Sequence, residues 1–186
     1  MRTSVSDIFP SFSETFEGRL YFMYLDITRL VTTGIGNLID PLTREVINLP
    51  WFPKTDTDRS ASEDEIRTEW EFVKTDPDGL SQHGGAAFRG VTNLRLSKEA
   101  VDDLVTRKAT GMETFLKNRQ EFSAFDDWPA DAQLGLLSMA WAMGPAFRFP
   151  NFQAACASQD FRRAADECHM DDTANPGLRP RNAANR

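Results

Sequence analysis

Apolar and polar positions change period several times along the chain, and each change predicts an element. Residues 1–10 hold no sustained period and end at Pro10, so they read as a leader. Phe12 and Phe16 lie four apart beside Ser11 and Ser13, which predicts a short capped helix ending where Gly18 follows Glu17. Tyr21, Phe22 and Tyr24 then make residues 19–25 a strand, with residues 30–33 as its partner. Asp40 before Pro41 predicts a helix start, the helix ending before Pro50. Ser62 and Glu65 have the spacing of a capping box, and Ile66, Trp70 and Val73 mark one face of a helix to about residue 75. Ser97 opens another, to about residue 118, in which Gly111 is the weak position. Residues 129–144, PADAQLGLLSMAWAMG, are apolar nearly all round, the mark of a buried central helix. Short helices are expected over residues 151–157 and 160–169, and another begins in NPGLRPRNAANR. PWFPKTDTDRSA and DPDGLSQHGG read as loops. One small antiparallel sheet among about eight helices makes the fold α+β and mainly helical.

Composition narrows this picture only where charge enters. With 186 residues, 40% of them apolar, the chain is long enough for one domain with a substantial core. No stretch approaches the ~20 apolar residues of a membrane helix, and the opening MRTSVSDIFPSFSETF lacks the apolar run of a secretory signal. Synthesis in the cytoplasm, without a membrane span, is therefore expected. The 21 basic and 28 acidic residues give a net charge of −7, of which −6 falls in residues 55–79. This balance argues against a nucleic-acid partner, while the near-neutral remainder leaves an anionic glycan acceptable. Asp56 and Asp58 lack the glycine and glutamate of a calcium loop, and His83 and His169 have no partner pattern, so no metal or cofactor is expected. Cys156 and Cys168 are either buried thiols or, in an oxidising compartment, a bridge.

The candidate chemistry lies in residues 17–37, EGRLYFMYLDITRLVTTGIGN. Glu17 and Asp26 stand nine apart on different elements, and Thr32 follows six further on. Two carboxylates across a cleft suit glycoside hydrolysis, in which one protonates the leaving oxygen and the other activates water or attacks carbon. The acid-Gly start, this spacing and the TTGIGN ending with Gly34 and Gly36 resemble the active-site stretch of the phage-type lysozymes, typified by the T-even phage enzyme. The resemblance covers roughly residues 11–48 and 96–186, and extends to LSMAWAMG and NPGLRPRN.

The resemblance implies a muramidase that cleaves the β-1,4 bond between N-acetylmuramic acid and N-acetylglucosamine with inversion. Glu17 would be the general acid, its pKa raised by burial, and Asp26 with Thr32 would hold the attacking water. The two carboxylates would stand roughly 6.5–9.5 Å apart. Trp141 would line the sugar site, and Arg181 would approach Glu17. A two-lobed lysozyme-like fold follows: a sheet-bearing lobe over about residues 11–96, with an acidic insertion at about 50–95, and a helical lobe over about 97–186. The family usually places a glycine between the Asp and the Thr; Arg29 stands close to that position, and a positive φ there would strain it. Peptidoglycan strands are the expected partner of a monomer that acts on the cell wall. It would be either a lysis enzyme or an injected toxin with an immunity protein or secretion carrier. The alternative is an inactive lysozyme-fold module that binds glycan or a protein.

Overall fold

The computed structural model describes residues 1–173 and 175–186. Its first half holds α1 (Thr3–Glu17), β1 (Leu20–Leu25), β2 (Val31–Gly34), β3 (Asn37–Leu38), α2 (Arg44–Ile47), β4 (Phe52–Pro53), α3 (Glu63–Lys74) and β5 (Leu94–Arg95). There follow α4 (Lys98–Lys117), α5 (Ala130–Met143), α6 (Pro150–Ala157), α7 (Phe161–Glu167) and α8 (Leu178–Ala184). With 57% helix and 9% strand, the fold is mainly helical with a small antiparallel sheet, as expected of an α+β chain. No helix among the described residues is long and apolar enough to cross a membrane. The chain divides into two compact units, Glu17–Val105 and Met1–Phe16 with Thr106–Arg186.

In the unit Glu17–Val105, β1, β2 and β3 form an antiparallel sheet in that order. Leu25 faces Val31, Tyr24 faces Thr32 and Leu20 faces Gly34, with an irregularity between the last two pairs. Met23, Leu25 and Val31 are fully buried on one face and Phe22 is buried on the other, so the centre of the sheet is covered on both sides. The capping box of α3 forms as the sequence predicts: the Ser62 hydroxyl accepts from the Glu65 amide, and the Glu65 carboxylate accepts from the Ser62 amide at 2.8 Å. Ile66 and Val73 turn inward from this helix, joined by the carboxylate of Glu69.

Two expectations in this unit are corrected. Asp40 caps no helix. Its carboxylate accepts from the Val31 amide at 3.1 Å and pairs with Lys74, while Thr43 caps the much shorter α2. An amide at the sheet margin and an ammonium outcompete the helix end for the same oxygens. The segment read as a loop before α3 contains β4, which pairs with β5 so that Phe52 faces Arg95 and Pro53 faces Leu94. Strands of two residues carry no period that a sequence pattern detects.

In the other unit, the expected leader is helical. Val5, Phe9 and Ser13 recur every four residues along α1 and are buried, and Pro10 is accommodated inside the helix. Its start is held by side chains: the Arg2 amide donates to Gln133 Oε1 at 2.8 Å, and the Arg2 guanidinium to the Trp128 carbonyl at 2.9 Å. Tertiary anchoring thus overrides the helix-breaking tendency of proline. The all-round apolar α5 buries every residue from Leu136 to Trp141. Beside it Phe122 packs edge to face with Trp128 and against Phe147 and Phe152, at centroid distances of 6.1–6.2 Å. Burying each such side chain contributes roughly 1.5–3 kcal/mol. α4 continues through Gly111, which meets no neighbour, so the weak position costs propensity without breaking the helix.

Candidate active site

The site is built at the start of the sheet-bearing unit. α1 ends at Glu17, and Gly18 turns the chain at φ +70°, a conformation glycine adopts without steric cost. Glu17 is exposed, so the burial expected of a general acid is not found. Arg19 fixes the start of β1 through an ion pair with Asp102 of α4 at 2.8 Å.

At the other end of β1 the chain reverses around Asp26. Its Oδ1 accepts three hydrogen bonds, from the Thr28 amide at 2.9 Å, the Thr28 hydroxyl at 2.7 Å and the Leu30 amide at 2.9 Å. The Asp26 amide donates to the Leu30 carbonyl at 3.0 Å, and its own carbonyl accepts from the Arg29 amide at 2.9 Å. Among the described residues no donor engages Oδ2. One carboxylate oxygen therefore builds the turn and the other keeps its lone pairs.

Arg29 takes φ 63°, as the missing glycine predicts. A left-handed arginine is costly, and the segment from α3 onward holds it. The Lys74 ammonium donates to the Arg29 carbonyl at 2.8 Å, and the Arg29 guanidinium donates to Asp76 Oδ2 at 3.2 Å. The hydroxyl and amide of Ser81, helped by Arg29, hold the Asp76 carboxyl below its ordinary range. The acidic segment thus supplies groups that brace the turn of Asp26.

Thr32 lies in β2, only 4% exposed, and its hydroxyl donates to the Leu30 carbonyl at 3.2 Å. It is cross-strand partner to Tyr24. Burial pushes the Tyr24 phenol up from its ordinary range, followed by the charge of Glu17 and then that of Asp26. One side chain is therefore neighbour to Glu17, Asp26 and Thr32, the three candidates of this unit. Sequence reasoning missed it, although it lies only two residues before Asp26. Gly34 and Gly36 take φ 63° and 68°, and Asn37 Oδ1 accepts from the Ile35 amide at 3.1 Å to close the bend. A β-carbon on Gly34 would lie 2.9 Å from that oxygen, so this glycine is fixed by both conformation and space.

The two remaining candidates lie in the other unit. Trp141 is 7% exposed; Phe9 meets its ring edge to face at a centroid distance of 5.4 Å, and the Lys108 ammonium stands 4.1 Å from its centroid. A sugar platform needs an open ring face, and this environment is that of a packed core aromatic. Arg181 is 1% exposed, donates to the carbonyl and hydroxyl of Ser138 at 3.3 and 3.1 Å, and lies over the Phe16 ring at 4.6 Å. Cys156 and Cys168 are buried and unbridged. Burial, then the charges of Cys168 and Glu121, push the Cys156 thiol up to about 12, which leaves it protonated and unreactive at neutral pH.

No protein-family model matches the chain, and no curated protein matches it significantly.

Proposed function

We propose that the chain is an inverting muramidase with a lysozyme-like fold, acting on the β-1,4 bond between N-acetylmuramic acid and N-acetylglucosamine in peptidoglycan. Glu17 protonates the glycosidic oxygen; Asp26 accepts a proton from the attacking water, and Thr32 helps to orient that water. The observation that carries this reading is the division of labour at Asp26. Oδ1 is fixed by three hydrogen bonds, and Oδ2 is left as an acceptor on a braced turn near Glu17's electrostatic neighbour Tyr24. A glycan chain seated over Glu17 would supply the desolvation that a general acid needs.

The exposure of Glu17 also favours a second reading, a glycan-binding module without turnover. Release of reducing ends from purified peptidoglycan separates the two. The wild-type chain is expected to release them, and Glu17→Gln to lose activity by about 10²–10⁴-fold while retaining its melting temperature. Equal rates in both proteins would remove the mechanism, and binding without release in either would establish the module.

A further inference from the structure

Tyr24 has a second set of neighbours, contributed by the insertion. The 3-10 turn Gly85–Arg89 lies against β1, and Gly85 meets the Tyr24 ring so closely that a β-carbon there would lie 2.6 Å from Cδ2 and 2.9 Å from Cε2. The same atom would come within 2.8 Å of Leu20 Cδ1, so two residues of β1 close the space. The φ of Gly85 demands no glycine; the close approach does. Gly85 thus abuts the ring, whereas the hydroxyl makes no hydrogen bond to any described residue. Opposite Thr32 in the strand register, and with two carboxylates as electrostatic neighbours, a phenol keeps its proton and remains a donor.

Resting on the glycosidase reading, we propose that the Tyr24 hydroxyl is a substrate contact that donates to an oxygen of the bound amino sugar, and that Gly85 is the residue of the insertion that positions it. Hydroxyl and acetamido oxygens of peptidoglycan sugars accept such a bond, and a donor with no protein partner gives one without breaking another. The insertion then shapes the site by seating one side chain.

The test uses the full chain with Glu17→Gln, which blocks turnover, titrated by calorimetry with a soluble tetrasaccharide of alternating N-acetylglucosamine and N-acetylmuramic acid. Tyr24→Phe keeps the ring and removes the donor; it is expected to weaken binding about ten-fold. Gly85→Ala should weaken it similarly, and the two together little more than either alone, because the added methyl acts by displacing the hydroxyl. In the chain with Glu17 intact, Tyr24→Phe should raise KM for peptidoglycan more than it lowers kcat. Affinity within two-fold of the parent in Tyr24→Phe overturns the contact, and fully additive losses overturn the role of Gly85; in both cases an active wild type leaves the glycosidase reading standing. If the wild type releases no reducing ends and the Glu17→Gln chain binds no tetrasaccharide, that reading fails and the contact falls with it.

Discussion

Two carboxylates of the sheet-bearing unit, Asp26 and Glu69, both accept backbone amides, and they do so to opposite ends. Glu69 on α3 is 9% exposed and engages both oxygens: Oε1 and Oε2 accept from the Leu94 amide at 3.0 Å, and Oε2 also from the Asn93 amide at 2.5 Å. It fastens Leu94 at the start of β5 to a helix residue 25 positions earlier in the chain. Asp26 gives one oxygen to its own turn and withholds the other. Burial and amide hydrogen bonds alone do not tell a structural acid from a chemical one. What separates the two side chains is the number of lone pairs left after the backbone has been served.

Three substitutions test that contrast at decreasing scale. Asp26→Asn retains an Oδ1 acceptor for Thr28 and Leu30 and replaces only the second oxygen. Reducing-end release should fall by about 10²–10⁴-fold, with the urea midpoint unchanged. An unfolded Asn variant would show that both oxygens are structural. Glu69→Ala leaves the buried Leu94 amide without an acceptor and should lower stability by roughly 2–3 kcal/mol, read from urea unfolding. Stability equal to wild type would erase the distinction from the other side.

Glu69→Gln gives a finer measure through pH. Burial pushes the folded-state pKa of Glu69 up, against the pull of the Asn93 and Leu94 amides and the charges of Arg95 and Lys54. A raised carboxyl contributes stability in full below its unfolded value near 4.5 and loses it as pH rises through the folded value. The stability of the wild type relative to Glu69→Gln should therefore decline from pH 4 upward. A rising difference would mean that the amides outweigh burial.

Features specified by neighbouring residues were legible in the sequence, and those specified by distant partners were not. Ser62 with Glu65, the strand residues around Phe22, the apolar run of α5 and the strained Arg29 are local features, each specified by a few adjacent residues, and the structure follows them. Asp40, Glu69 and Gln133 were not legible, because their partners Lys74, Leu94 and Arg2 are distant in sequence and no local pattern announces them. Pro10 misled for the same reason: a rule about local backbone loses to anchors contributed by α5. At the site, the spacing of Glu17, Asp26 and Thr32 was visible, whereas Tyr24 looked like one more β-favouring aromatic until its strand partner and the approach of Gly85 were known.

Arg29→Gly is the smallest test and bears on how firmly Asp26 is held. A non-glycine residue at φ 63° costs about 1–2 kcal/mol, and glycine returns roughly 0.5–1 kcal/mol of that by loosening the unfolded chain. The lost pair with Asp76 subtracts little, since the Arg29 side chain is 65% exposed and screened. The bonds from Lys74 to the residue 29 carbonyl and from the residue 29 amide to Asp26 involve backbone atoms and survive the change. A net gain of about 0.5 kcal/mol is expected, read as a higher thermal midpoint with the rate retained. Lower stability would assign the holding of the turn to the Arg29–Asp76 pair. The acidic segment would then brace Asp26 through a side chain as well as through Lys74 on the backbone, and Asp76→Asn should reproduce the loss.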